Sequence, residues 1–253
     1  MSETAAAAPA MPQNIYDDAR FFEGYKSLRQ QDTGLNGVLE VPALRRLLPC
    51  LQGLSVLDLG CGFGDFARFA RQQGAVCVTG VDISARMLAE AATLTRDAAV
   101  CYRHQAIEDF IAPPATFDLV VSSLALHYVD DYASVVDHVF HALKPGGGFL
   151  FSVEHPMCTA HPVGWVRDEV GLPLHWPVDR YQQEGRRDTR WFVDGVVKYH
   201  RTIETYVNTL IGAGFLLDHI GEPVPLPAAL ASRPGLREDG RRPPFLLLRA
   251  RRP

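Results

Sequence analysis

Asp58, Gly60, Gly62 and Asp82 are the residues whose types and spacing could do chemistry. Three of them lie in the run Val56-Leu57-Asp58-Leu59-Gly60-Cys61-Gly62-Phe63-Gly64-Asp65, and a second apolar run closes on Asp82. Glycines let backbone approach a ligand where a Cβ would collide. An acid at the carboxyl end of a strand can accept hydrogen bonds from both hydroxyls of a ribose. Apolar run, glycine turn, helix, second apolar run and acid together make the layout of a site for an adenosine-containing cofactor. The turn reads Gly60-x-Gly62-x-Gly64, not the GxGxxG of dinucleotide sites. Asp65 at the following helix start would repel a pyrophosphate, which weighs against an NAD-dependent oxidoreductase.

These residues need a scaffold, and the chain spells one. Residues 14–50 look helical, with Phe21, Phe22, Tyr25 and Leu28, then Val41, Leu44, Leu47 and Leu48, at helical spacing. Strand signals follow at 54–59, 76–81, 100–103, 117–122 and 149–153, alternating with helices at 65–73 and from the Ser84 N-cap to 95. Another helix carries Val135, Val136, Val139, Phe140 and Leu143 and ends at Lys144-Pro145-Gly146-Gly147-Gly148. Repeated β-α alternation with apolar strands predicts a parallel sheet covered on both faces. Residues 154–200 break the rhythm and are rich in His, Trp, Pro and charge; Asp194-Gly195 between two β-prone runs predicts a hairpin turn. A helix over 202–211 and strands over 215–220 and 244–249 complete a doubly wound, mostly parallel seven-stranded α/β sheet.

The 253 residues suit one domain of residues 14–253 with a helical lid (14–50) and an inserted cap (154–200). Five scattered cysteines without CxxC spacing argue against a disulfide framework or thiolate zinc site, and fit a cytoplasmic protein. A net charge of −4 gives no basic footprint for nucleic acid. No apolar stretch is long enough to span a bilayer. Residues 1–13 are Ala- and Pro-rich without a basic or apolar leader region, and read as a disordered lead-in. No metal-ligand spacing is present.

Four ordered blocks, VLDLGCGFGDFA (56–67), VTGVDISARML (78–88), FDLVVSSLALHYVDD (117–131) and LKPGGGFLFS (143–152), resemble the class I S-adenosylmethionine-dependent methyltransferases. The nearest group is the small-molecule enzymes that include the ubiquinone C-methyltransferases. The resemblance implies S-adenosylmethionine as cofactor and S-adenosylhomocysteine as product. It implies that Gly60, Cys61 and Gly62 wrap the methionine moiety and that Asp82 holds the ribose. Asp58 would lie near the cofactor's ammonium, or else cap the loop's own amides. Ile83 and Met87 would lie against the adenine, with Ala106, Ile107 and Glu108 at its edge. Many relatives carry an Asp where this chain has Ala106, so that contact rests on backbone near Ile107. Ser122 and Ser123 would open onto the cofactor; His127 either approaches it or packs in a helix. Tyr16, Tyr25 and Arg29 resemble the family's lid, the alternative being an ordinary amphipathic helix.

Acceptor chemistry is expected beyond the carboxyl ends of the strands. His155 is the candidate base, having a pKa near neutrality, with Glu154 as the alternative and a structural histidine as the plain reading. Trp165, Trp176, Trp191 and His200 would line an acceptor pocket, or else form the insertion's own core. The tryptophans point to an aromatic or heteroaromatic small molecule. Arg186, Arg187 and residues 249–252 read as solvated surface. Ser122-Ser123-Leu124-Ala125 stands where methyltransferases of nucleic-acid bases carry Asn/Asp-Pro-Pro-aromatic, which disfavours that function. A cofactor-binding protein without transfer activity would keep the same glycines and Asp82. The sequence leaves the acceptor atom, O, N or C, open.

Overall fold

Asp58 and Asp82 end adjacent strands of one sheet. The computed structural model describes residues 12–31, 34–161 and 163–253. Seven strands form the main sheet: β1 (Ser55–Leu59), β2 (Cys77–Asp82), β3 (Val100–His104), β4 (Phe117–Ser123), β5 (Leu143–Glu154), β10 (Leu216–Gly221) and β11 (Phe245–Arg251), in the order β10-β11-β5-β4-β1-β2-β3. Pairing is parallel from β5 through β3 and antiparallel between β5, β11 and β10. The α/β doubly wound architecture is as the alternation predicts. The reason is visible in β4, where Val120 packs with α5 (Tyr132–Ala142) and α7 (Ile203–Gly212), while Leu119 and Val121 pack with α2 (Val41–Leu47) and α3 (Asp65–Gln72). Successive side chains point to opposite faces, so a continuous apolar run buries both.

The N-terminal segment is less regular than a long helix. A 3₁₀ turn (Ile15–Asp17) leads to α1 (Ala19–Gln31), and a π-helical turn (Asn36–Glu40) runs into α2. Helix α4 (Ala85–Leu94) starts where expected, with Ser84 Oγ accepting from the Met87 N–H at 3.1 Å. Strand β5 begins six residues before the expected 149, because Gly148 pairs with Arg251 and Leu143 with Phe117. The lead-in reading of residues 1–13 falls on residues 1–11, outside the described ones, and on Pro12 and Gln13. Gln13 is held: its amide donates to Gly195 O at 2.8 Å and accepts from the Val197 N–H at 2.9 Å.

Between β5 and α7 lie a short helix α6 (Pro156–Thr159), a small ribbon of β6 (Val166–Arg167) and β7 (Pro173–His175), and the hairpin of β8 (Gly185–Trp191) and β9 (Val193–His200). The hairpin forms, but not with its turn at Asp194-Gly195. Trp191 pairs with Val193, so Phe192 turns the chain, at φ 58°, and Gly195 sits inside β9 at φ 79°. Packing overrides turn propensity here: the Phe192 ring stacks on Trp191 and meets Phe21 edge-on. Gly24 of α1 makes the room, since a Cβ there would stand 2.7 Å from the Phe192 ring. Helix α8 (Pro227–Ser232) and a 3₁₀ helix (Pro234–Gly240) precede β11. Among the described residues no helix is long and apolar enough to cross a membrane.

Candidate functional site

The turn after β1 is built from its own amides. The Gly60 and Cys61 N–H groups donate to Val81 O, and the Gly64 N–H donates to Cys61 O. Gly60 and Gly62 adopt φ of 74° and 52°. A Cβ on Gly60 would stand 2.3 Å from the Ala125 Cβ. A Cβ on Gly62 would meet nothing within 4 Å, so that amide borders open space. The buried Asp82 joins the two loops: Oδ2 accepts from the Gly62 N–H at 2.8 Å and Oδ1 from the Ser84 N–H at 2.9 Å. Burial raises the Asp82 pKa against the pull of those two amides.

Asp58 behaves differently. It is 2 % exposed, and its Oδ2 is buried without any hydrogen-bond partner. The Gly62 amide goes to Asp82 instead, so Asp58 is not the cap of this loop. Burial, then the charges of Asp82 and Asp65, push its pKa to about 8. A buried carboxylate without a partner is costly, so with no cation beside it among the described residues the group keeps its proton at neutral pH.

Both residues line a cavity of about 1030 Å³ at the carboxyl ends of the strands. Cys61, Gly62, Ile83, Met87, Ile107, Glu108, Ser123 and His127 line it too, with Tyr16, Tyr25 and Arg29 from the lid. Met87 packs with Phe22 and Phe63. Tyr16 meets Tyr25 and Tyr128 edge-on, and Tyr25 meets Trp191, so α1 and the β8–β9 hairpin close on one another through aromatic rings. Arg29 bonds Asp65 at 2.9 Å and also reaches Asn36 Oδ1. Asn14 and Asp17 tie the lid to the β2–α4 corner, donating to Ile83 O and accepting from Ser84 and Arg86.

Several expectations are corrected. Ala106 is buried outside the cavity lining, beside Ile107 which reaches it. Ser122 also stays outside, because its hydroxyl donates to Leu59 O at 2.8 Å within the sheet. His155, expected as a base, does not line the cavity: Nδ1 accepts from the Met157 N–H as the cap of α6, and Nε2 faces Glu222 Oε1 at 2.9 Å. Burial holds its pKa below the usual value, against the opposing pull of Glu222. His200 is a buried node, bonded to Thr159 Oγ1 at 2.8 Å and Tyr181 O at 2.9 Å. Trp165 stands behind Trp176, edge-on at 5.5 Å; Trp176 and Trp191 reach the cavity. Arg187 is buried, its guanidinium donating to the Ala160 and Gln183 carbonyls, whereas Arg186 is exposed.

The structure also adds Glu40, Cys158 and Arg242, which sequence reasoning did not select, and gives Glu154 and His127 their partners. Glu40, fully buried on the π-helical turn, lines the cavity and accepts from Ser152 Oγ at 2.6 Å, Ser123 Oγ at 2.9 Å and Asn36 Nδ2 at 3.0 Å. Burial raises its pKa against the serine hydrogen bonds. A buried charge within an apolar helical stretch was the only signal. Glu154, at the end of β5, pairs with Lys198 of β9 at 2.5 Å. Burial works to raise its pKa, but Lys198 outweighs it and keeps the carboxylate ionised. His127 Nδ1 accepts from the Glu154 N–H at 3.4 Å, which assigns the ring hydrogen to Nε2; burial pulls its pKa down to about 4. Cys158 and Arg242 border the Trp176 end.

Comparison with known proteins agrees with this geometry. A methyltransferase domain family matches residues 56–147. An uncharacterized protein of Haemophilus influenzae is 33% identical over 254 residues, spanning 94% of this chain and 97% of that one. A ubiquinone biosynthesis O-methyltransferase of Xylella fastidiosa is 41% identical over 127 residues, covering 49% of this chain and 51% of its own length. This chain thus spans about half of that relative. The crystal structure of an S-adenosylmethionine dependent methyltransferase from Mesorhizobium loti superposes with a TM-score of 0.81 at 47% identity, over 87% of this chain and all of that one. The chain belongs to the S-adenosylmethionine-dependent methyltransferases.

Proposed function

We propose that the enzyme transfers the methyl group of S-adenosylmethionine to an O, N or C atom of a small molecule with an aromatic or heteroaromatic body. The observation that carries this reading is the two-ended cavity. Its Asp58–Asp82 end has an unpartnered buried carboxylate oxygen, its other end presents Trp176 and Glu154, and Trp191 lies between Tyr25 of the lid and Lys198. About 1030 Å³ is at the upper end of small-molecule sites, roughly 300–1,000 Å³, and leaves room for a second ligand.

The residues fit the cofactor. Asp58 Oδ2 would balance the ammonium, and the open space at Gly62 would admit the methionine moiety against backbone. Asp82 would accept from the ribose, and Ile83, Met87 and Ile107 would wall the adenine. Arg29, Tyr16 and Tyr25 would close over the carboxylate from the lid. When bound, the cofactor supplies an electrophilic methyl group on a sulfonium leaving group. The chain's own task is to align a nucleophile and exclude water. Glu154 replaces His155 in this account: held ionised by Lys198, it can accept a hydrogen bond from the acceptor and orient it. His127, with its hydrogen on Nε2, can donate but not abstract.

The ubiquinone biosynthesis O-methyltransferase relative supports an oxygen acceptor on a small molecule, over about half of each chain. Calorimetric titration with S-adenosylhomocysteine, with NAD as control, tests the cofactor end. One-site binding of the former alone is expected. Release of S-adenosylhomocysteine from S-adenosylmethionine, screened over phenols, aromatic amines and aromatic acids, tests the acceptor end. Turnover with aliphatic acceptors alone would refute the aromatic assignment.

A further inference from the structure

The far end of the cavity holds a cation that the methyl-transfer chemistry does not use. Arg242 stands three residues before β11, beside the end of β5, where Phe245 pairs with Glu154. Its side chain is only 10% exposed, yet it borders the cavity. Nη1 lies 3.3 Å from Cys158 Sγ, and the guanidinium carbon stands 4.2 Å from the centre of the Trp176 ring. Nη2 stands 3.4 Å from Asp239 Oδ1, longer than the roughly 2.7–2.9 Å of a charge-assisted bond. The Nε–H is buried and has no acceptor.

The neighbouring groups do not meet that need. Glu154 is committed to Lys198. Burial pushes the Cys158 thiol to about 12, so it stays neutral beside the guanidinium. Trp176 is fixed by its own Nε1–H, which donates to Met157 O at 2.9 Å, and so holds Arg242 in place by stacking. A guanidinium is a planar fork whose donors match a planar oxyanion. Here the fork is restrained at the cavity edge with one buried donor unpaired.

We propose that Arg242 determines acceptor specificity by binding an anionic oxygen group, best a carboxylate, on the part of the acceptor remote from the methylated atom. The sheet order sets that remoteness. Strand β11 lies three inter-strand spacings from β1 and its glycine turn, roughly 14 Å. The acceptor is thus an elongated aromatic acid with its nucleophile toward Asp58 and its carboxylate at Arg242. The proposal rests on reading the Trp176 end as the acceptor site.

The test compares 4-hydroxycinnamate with 4-hydroxycinnamamide, the same body without the charge. Each is titrated by calorimetry into the full-length protein saturated with S-adenosylhomocysteine, and into the apoprotein. The acid should bind at least ten-fold more tightly than the amide. Arg242→Gln should abolish that preference and leave S-adenosylhomocysteine affinity unchanged; Arg242→Lys should keep part of it. Equal binding of acid and amide, no binding of either, or a preference that survives in Arg242→Gln would overturn the proposal. Failure of S-adenosylhomocysteine to bind is a separate result that strikes the cofactor reading. The apoprotein titration still tests Arg242 in that event. If Arg242→Gln does not fold, Arg242→Lys decides: full retention of the preference would refute the need for the fork.

Discussion

Asp58→Asn should make the apoprotein more stable and the cofactor complex weaker. The Asp58 carboxyl titrates at about 8 in the fold against an ordinary 3.8. A raised carboxyl pKa means that the folded state holds the proton more tightly than the unfolded chain. Between 3.8 and about 8, stability therefore falls as pH rises. At about 1.36 kcal/mol per pKa unit, the full interval is on the order of 5 kcal/mol, an upper bound that relaxation and water entry reduce. Asn keeps the shape and removes the charge. Its melting temperature should exceed that of wild type by several degrees at pH 8 and converge on it below about pH 4, where the Asp58 carboxyl is protonated in the unfolded chain as well as in the fold. Ligand binding gives a sharper readout. At pH 7 roughly nine-tenths of a group titrating at about 8 is protonated, so engaging an ammonium should release close to one proton. Titration of S-adenosylhomocysteine in buffers of different ionisation enthalpy measures that proton directly. The release should vanish in Asp58→Asn while affinity drops. Equal proton release in wild type and variant would refute the assignment of Asp58 to the ammonium.

Asp82→Ala removes a charged acceptor worth ~1.5–3 kcal/mol, so calorimetry should show S-adenosylhomocysteine affinity falling roughly 10- to 150-fold. Because Asp82 also accepts from the Gly62 and Ser84 amides, its melting temperature should fall as well. Gly60→Ala places a methyl 2.3 Å from the Ala125 Cβ at a positive φ, which should abolish cofactor binding; retained binding would show that the turn yields. His155→Ala should lower stability by about 0.5–2 kcal/mol through loss of the α6 cap, with turnover per folded molecule unchanged; a large drop in turnover would restore a catalytic role. Lys198→Met strands the half-buried Glu154 charge and should destabilise the fold by about 1–3 kcal/mol, measured by urea unfolding.

The cofactor end was legible in the sequence because its determinants are local. Asp58, Gly60 and Gly62 occupy one strand and its turn, and the sheet register then brings Asp82 beside them. Runs apolar on both faces predict the parallel part of the sheet and its two covered faces for the same reason: each residue's burial follows from alternation along its own strand. At the other end, what a side chain does depends on partners far along the chain. Glu40 meets Ser152 across 112 residues, and Arg242 meets Cys158 across 84. Neither pairing has a spacing to read. Histidine shows the cost of inferring a role from residue type alone. His155 and His200 carry the right chemistry for a base, yet each has both ring nitrogens engaged by neighbours. The Phe192 turn makes the same point for the backbone, since packing on Phe21 and Trp191 overrides the Asp194-Gly195 signal. What separates a structural polar group from a functional one here is whether the fold leaves it unsatisfied on a residue that also borders the cavity, since Asn14, His138 and Arg201 carry unsatisfied buried atoms away from it. Asp58 Oδ2 and Arg242 Nε, on residues that border the cavity at its two ends, are buried and unsatisfied. They point to a cationic group of the cofactor at one end and an anionic group of the acceptor at the other.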